Sequence, residues 1–92
     1  MIVFTDHARD KLQKEMKKLG ITEKTIKQIM NKPDEMLYDA LRNRFVAINW
    51  SHNLAVIHEK TNHNLVVITV IYSTQLKDTV NKRRRTGRWI QS

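Results

Sequence analysis

The chain has 92 residues, with 17 Lys and Arg against nine Asp and Glu and no cysteine. That length supports one modest core and no second domain, and the missing thiols exclude a disulfide framework, a thiolate nucleophile and a cysteine-held zinc. No apolar run approaches the ~18 residues of a membrane span, and no basic segment followed by an apolar one marks a signal peptide, so a soluble, cytoplasmic protein is expected.

In chain order, the stretch "IVFTDHARDKL" opens with a short apolar run and then turns amphipathic. A helix is expected from about Thr5 to Leu19, with Thr5 or Asp6 as N-cap and Gly20 as a left-handed stop. Ala8, Leu12, Met16 and Leu19 line its core face, while His7, Lys11, Lys14 and Lys18 form an outward row at spacings of four, three and four. A second helix starts at Thr22, where Ile21 and Ile26 occupy the two positions of a hydrophobic staple. It buries Ile26, Ile29 and Met30, and it ends before Pro33, because the residue preceding a proline avoids the helical region.

Beyond Pro33 the apolar period becomes two. "EMLYDA", "RFVAINW", "NLAVIHEK" and "NLVVITVIYST" are rich in β-branched and aromatic residues, and the linkers "LRN", "SHN" and "TNH" are turn-like. Short links imply antiparallel neighbours. The expected fold is therefore α+β, two N-terminal helices packed on a four-stranded antiparallel β-meander, with a basic C-terminal tail or helix. The last of the four strands is apolar at nearly every position from Leu65 to Ile71, as a central or doubly covered strand would be. Residues 1–74 form the domain, and residues 75–92 are an extension that Trp89 and Ile90 would dock back onto it.

The excess charge is localised. Residues 7–18 carry five basic and two acidic side chains, residues 77–92 carry six and one, and the remainder is neutral. Two segments holding the whole net charge of +8 suggest a field built for a polyanion; the plain alternative is a solvated helix face plus a loose tail.

His7 is the sharpest chemical candidate, because the first turn of a helix beside Lys11 welcomes a phosphate and places the imidazole to exchange a proton with it. The plain alternative makes His7 a helix-start residue hydrogen-bonded to a strand end. His58 shares a face with Leu54 and Val56 and reads as a histidine at the edge of the core. His52 and His63 lie in turns at opposite ends of one strand, too far apart to share a metal, so no metal and no cofactor is expected. Lys82, Arg83, Arg84, Arg85 and Arg88 can neutralise phosphates, since four consecutive like charges repel one another unless an anion relieves them. Trp89 can stack on a base or anchor the tail. Tyr72, Ser73 and Thr74 bring three hydroxyls to a strand end.

"FTDHARDKL", "GITEKTIKQIMNKPDEM", "RFVAINW", "NLAVIHEK" and "LVVITVIYST", in that order, resemble an uncharacterised microbial and viral family, domain-of-unknown-function 4258, over roughly residues 2–74. That family is similar to the barnase, EndoU, colicin and RelE superfamily of small metal-independent ribonucleases, especially the colicin D nuclease and BrnT-type toxins. The resemblance implies a toxin-like or viral endoribonuclease acting on transfer RNA or ribosome-associated RNA. It implies His7 and Lys11 as catalytic by position, and Ser73, Thr74 or Thr86 with Trp89 by residue type alone. Lys14, Lys18, Arg44 and the tail cations would bind the RNA, with Arg44 also stabilising charge on the phosphorane. The rival expectations are a non-catalytic RNA- or DNA-binding protein using the same basic face, and a cationic surface that docks an acidic protein such as an antitoxin. Oligomeric state is not encoded in any of these patterns.

Overall fold

The computed structural model describes residues 1–92. A three-residue strand, β1 (Ile2–Phe4), leads into helix α1 (Asp6–Lys11), which Thr5 caps by accepting the Ala8 N–H on its side chain. The expected single helix to Leu19 changes pitch twice, becoming a wide π turn over Leu12–Met16 and a tight 3-10 turn over Lys17–Leu19. Residues four apart drift by about 40° per step around an ideal α-helix, and the wider turn offsets that drift. Ala8, Leu12 and Met16 therefore all stay on the core. Gly20 ends the segment in the left-handed region at φ 75°. Thr22 caps α2 (Glu23–Asn31) in a reciprocal box with Thr25.

Strands β2 (Glu35–Asp39), β3 (Arg44–Asn49), β4 (Leu54–Lys60) and β5 (Leu65–Tyr72) are antiparallel neighbours in sequence order. Asn43 and Asn53, both at φ 55°, make the turns ahead of β3 and β4, a conformation asparagine tolerates better than most residues. The expected count of four strands is corrected to six, and the sheet is mixed. β1 adds to β5 in parallel, pairing Ile2 with Leu65 through Phe4 with Val67. A last strand, β6 (Trp89–Gln91), adds antiparallel to β2, so the order is β1-β5-β4-β3-β2-β6. Both additions fill edges that a four-stranded meander would leave as unpaired backbone.

The third helix, α3 (Leu76–Arg85), lies on the opposite face from α1 and α2. One core joins Ala8, Leu12, Met16, Ile26, Ile29 and Met30 to Ala47, Leu54, Val56, Val67 and Val70. The other joins Leu76, Val80 and Trp89 to Leu37, Val46, Ile48, Ala55 and Ile57. Residues 75–92 are thus an integral layer and strand rather than an appendage. The doubly covered strand is β4, buried without interruption from Leu54 to His58, whereas β5 keeps partly exposed positions because β1 pairs with it only as far as Val67. No helix is long and apolar enough to cross a membrane.

Gly87, at φ 75°, reverses the chain between α3 and β6. A Cβ there would meet nothing within 4 Å, so Gly87→Ala tests backbone conformation alone. It should cost about 1–2 kcal/mol in a urea titration, with the m-value unchanged.

Candidate nucleic-acid interface

The two basic segments stand on different parts of the molecule. The first borders a cleft lined by Lys11, Glu15, Met16, Lys18, Leu19, Ile71 and Tyr72, where α1 and its following turns pass the outer edge of β5. His7 is exposed beside it, with Nε2 3.4 Å from the Thr69 hydroxyl on β5. This is the helix-start histidine at a strand that the sequence offered as its plainer alternative. The α-helical part is only six residues long, and Thr5 already occupies one of its free N–H groups, so little of a helix-terminal phosphate cradle remains. Lys14 is drawn to Asp10 at 3.2 Å, and Arg9 to Glu23 at 3.6 Å.

The second segment is better organised. Thr79, Lys82, Arg83, Thr86 and Arg88 line a recess of about 370 Å³ with no apolar residue in its wall. Its floor is built from the end of β2, where Asp39 is 4% exposed. Asp39 Oδ1 accepts the Leu41 and Arg42 N–H groups, and Oδ2 accepts the Trp89 indole N–H at 3.3 Å. Trp89, 2% exposed, carries the Arg83 guanidinium over its ring at 5.1 Å. Arg88 Nε stands 3.7 Å from Asp39 Oδ2, too far for a hydrogen bond. The Nε atoms of Arg83 and Arg88 are both sealed from solvent without a partner. Burial lowers the Arg83 pKa from its ordinary value; Arg88 pushes the same way, Asp39 opposes, and Arg42 adds to the lowering. One carboxylate, with its lone pairs already engaged, faces several guanidinium groups.

Several expected site residues are placed elsewhere. Ser73 and Thr74 follow the end of β5 but do not join His7: the Ser73 hydroxyl accepts the Gln75 N–H, and Thr74 lines a separate cleft with Glu35, Trp50 and Lys77 under α3. Arg44 is paired with Glu59 at 3.1 Å, so its charge is spent within the sheet. Arg84 binds Glu35 at 2.6 Å and Gln91 at 3.1 Å, tying α3 to β2 and β6. Trp89 is a core anchor and has no face free to stack on a base. Lys82 and Arg85 form no salt bridge and are exposed.

His7 and the C-terminal guanidinium groups do not converge on one phosphate. Thr69 on β5 and Asp39 on β2 are separated by three strand spacings, ~14 Å, and the helices beside them lie on opposite faces. A single phosphorane would need all its donors within about 3 Å. The carboxylates clustered after α2 are also structural, Asp34 accepting the Trp50 N–H, Glu35 pairing Arg84 and Asp39 closing the β2–β3 turn. No three His, Cys, Asp or Glu side chains are grouped to hold a metal.

Sequence reasoning named the recess cations Lys82, Arg83 and Arg88 but missed Asp39 and Arg42, which shape the floor, and Thr69, which meets His7. The signal for Asp39 was local: an aspartate at the mouth of a turn accepts backbone N–H groups two and three residues on. Comparison with protein-family models, curated proteins and solved structures finds nothing that matches this chain.

Proposed function

We propose that this protein binds RNA through its phosphate backbone, using the face formed by the second half of α3 and the Gly87 turn. The observation that carries the reading is the charge imbalance around Asp39, where Arg42, Lys82, Arg83 and Arg88 gather about one buried carboxylate. Arg85 extends the same surface into a neighbouring cleft with Gln75, Asp78 and Asn81. Cations held this close without counter-charge are relieved by an anion, and a polyanion releases its own counterions on binding them. RNA rather than DNA, and a cytoplasmic location, follow from the resemblance and the cysteine-free composition.

Binding of short single-stranded RNA should weaken with salt at a log–log slope of about −3 if four phosphates are contacted, and Arg85→Ala should reduce that slope by about 0.7. Lys14→Ala on the far face should change neither slope nor affinity. A slope near zero, or equal effects of the two substitutions, would remove the reading.

A second reading, a metal-independent endoribonuclease, is favoured by one observation: His7 is exposed, touches the Thr69 hydroxyl, and adjoins a cleft holding Lys11, Lys18 and Tyr72. In that reading His7 alone takes or gives the proton, with Lys11 near the developing charge. Total RNA incubated in EDTA would then acquire 2′,3′-cyclic phosphate ends, and His7→Ala would slow their appearance by about 10²–10⁴. Intact RNA after prolonged incubation with the parent protein ends this second reading and leaves the first untouched.

A further inference from the structure

We propose that the recess between α3 and the β2–β3 turn is a site for one dianionic phosphate monoester, such as the phosphate at an RNA terminus. The proposal rests on the RNA-binding reading for the source of the phosphate, but its chemistry is carried by the recess itself. The walls are Thr79, Lys82, Arg83, Thr86 and Arg88, and the enclosed space of about 370 Å³ contains no apolar side chain. A tetrahedral oxyanion needs convergent donors at fixed angles, which guanidinium forks provide better than ammonium groups.

Two features mark the donors as waiting for a partner. Arg83 Nε and Arg88 Nε are closed off from solvent and bonded to nothing, although leaving such a donor unpaired costs about 1–3 kcal/mol. Their geometry is nevertheless fixed, Arg83 by the Trp89 ring beneath it and Arg88 by the attraction of Asp39. The preorganised cation therefore has its ordering cost met before any ligand arrives.

The charge count selects the kind of phosphate. Arg42, Lys82, Arg83 and Arg88 set against Asp39 leave an excess of three positive charges. An internal phosphodiester brings one negative charge, whereas a monoester brings about −1.5 to −2 near neutral pH. Depth adds to this preference, since a terminal group enters a recess end-on while an internal phosphate carries a nucleoside on each side. Asp39 cannot serve the ligand, because both its oxygens already accept from Leu41, Arg42 and Trp89. The hydroxyls of Thr79 and Thr86 donate to the Gln75 and Arg83 carbonyls, so the cations do the binding.

The test compares short RNAs of one sequence carrying a 5′-phosphate, a 3′-phosphate or hydroxyls at both ends, with ribose 5-phosphate as competitor. One phosphorylated end should raise affinity at least about tenfold, the equivalent of one charge-assisted hydrogen bond. That gain should fade as pH falls through about 6, where the monoester takes up its second proton; no histidine lines the recess to mimic the effect. Arg88→Gln should abolish the gain while hydroxyl-ended RNA still binds. Because Arg88→Gln touches Asp39, thermal unfolding is measured alongside, and exposed Lys82→Gln, which should lose part of the gain, decides the matter if the first variant fails to fold. Equal affinity for all three RNAs, with no competition by ribose 5-phosphate, overturns the site and leaves RNA binding standing. Failure of every RNA to bind, with ribose 5-phosphate still stabilising the parent and not Arg88→Gln, removes the RNA reading and supports the site with a small phosphorylated molecule as its ligand.

Discussion

Trp89→Ala should lower the stability of the protein by about 3–5 kcal/mol, the usual range for emptying a large aromatic position in a core. Three losses combine. The indole leaves a cavity among Leu37, Val46, Leu76 and Val80, Asp39 loses the donor to its Oδ2, and Arg83 loses the ring that supports it. A domain of this size has about 5–15 kcal/mol in total, and 1 kcal/mol moves its Tm by roughly 4–8 °C, so the melting temperature should fall by more than 10 °C. The conservative Trp89→Phe separates packing from the hydrogen bond: it should retain most of the volume term and lose about 1–3 kcal/mol for the unpaired carboxylate oxygen. Calorimetric scans of the two variants check both figures. If Trp89 served by stacking on a base, RNA affinity would collapse in Trp89→Phe least and in Trp89→Ala most, with Tm hardly changed; a stable Trp89→Ala protein would contradict the packing described here.

The second large effect is a loss of stability in mild acid centred on His58. This ring is 0% exposed and lies on the α1/α2 side of β4, opposite Val67 on β5 and stacked on Phe45 of β3 at 5.8 Å. Its Nδ1 is 3.1 Å from the Val56 carbonyl, which can only accept, so Nδ1 carries the proton and Nε2 is a bare lone pair with no partner. Burial is the main cause that holds its pKa below 6.5; the Val56 carbonyl opposes the shift and Lys60 adds to it. In the unfolded chain His58 takes up a proton as pH falls through about 6.5, while the folded chain refuses it. Its contribution is therefore intact above that pH and declines below it, until the pH reaches the lowered folded value, at up to ~1.4 kcal/mol per pH unit.

His58→Phe tests the assignment, since phenylalanine keeps the stacking and cannot titrate. Near pH 7.5 the variant should lie within about 1.5 kcal/mol of the parent. Between pH 6.5 and pH 5 its stability should fall less steeply, so that the variant gains on the parent steadily as acid is added. Parallel curves from urea titrations across that range would mean that His58 is not the group responsible. The nearby charges Arg44, Glu59 and Lys60 are present in both proteins and cancel in the comparison.

Local elements were largely legible because their determinants are local. Thr5 and Thr22 as caps, Gly20 as the left-handed stop, Pro33 as a terminator and the period-two runs of β2–β5 depend on residues within a turn of one another. The π turn at Leu12–Met16 was not legible, since keeping Leu12 and Met16 on one core is a demand of the sheet beneath them rather than of the helix. The β-strand identities of Ile2–Phe4 and Trp89–Gln91 were equally hidden. Three residues carry too short a pattern to declare a strand, and both strands exist only because a sheet edge is available to pair with.

The candidate residues divide in the same way. Residue type was enough to mark Lys82, Arg83 and Arg88 as cations in want of an anion, and to set the histidines apart from any metal site. It was not enough to say that Arg44 and Arg84 are neutralised by Glu59 and Glu35, partners 15 and 49 residues away, or that Ser73 and Thr74 face away from His7.

The amino-acid order therefore determined where the chain would be helical, where extended and where charged, because capping, periodicity and repulsion act over a few residues. Which charges share a surface was decided by the crossing of α3 to the far face, and that crossing depends on burying Leu76, Val80 and Trp89 against strands 30 to 50 residues earlier. Hydrophobic burial has no direction and no sequence range, so only the folded sheet could place the arginines around Asp39 and His7 beside Thr69.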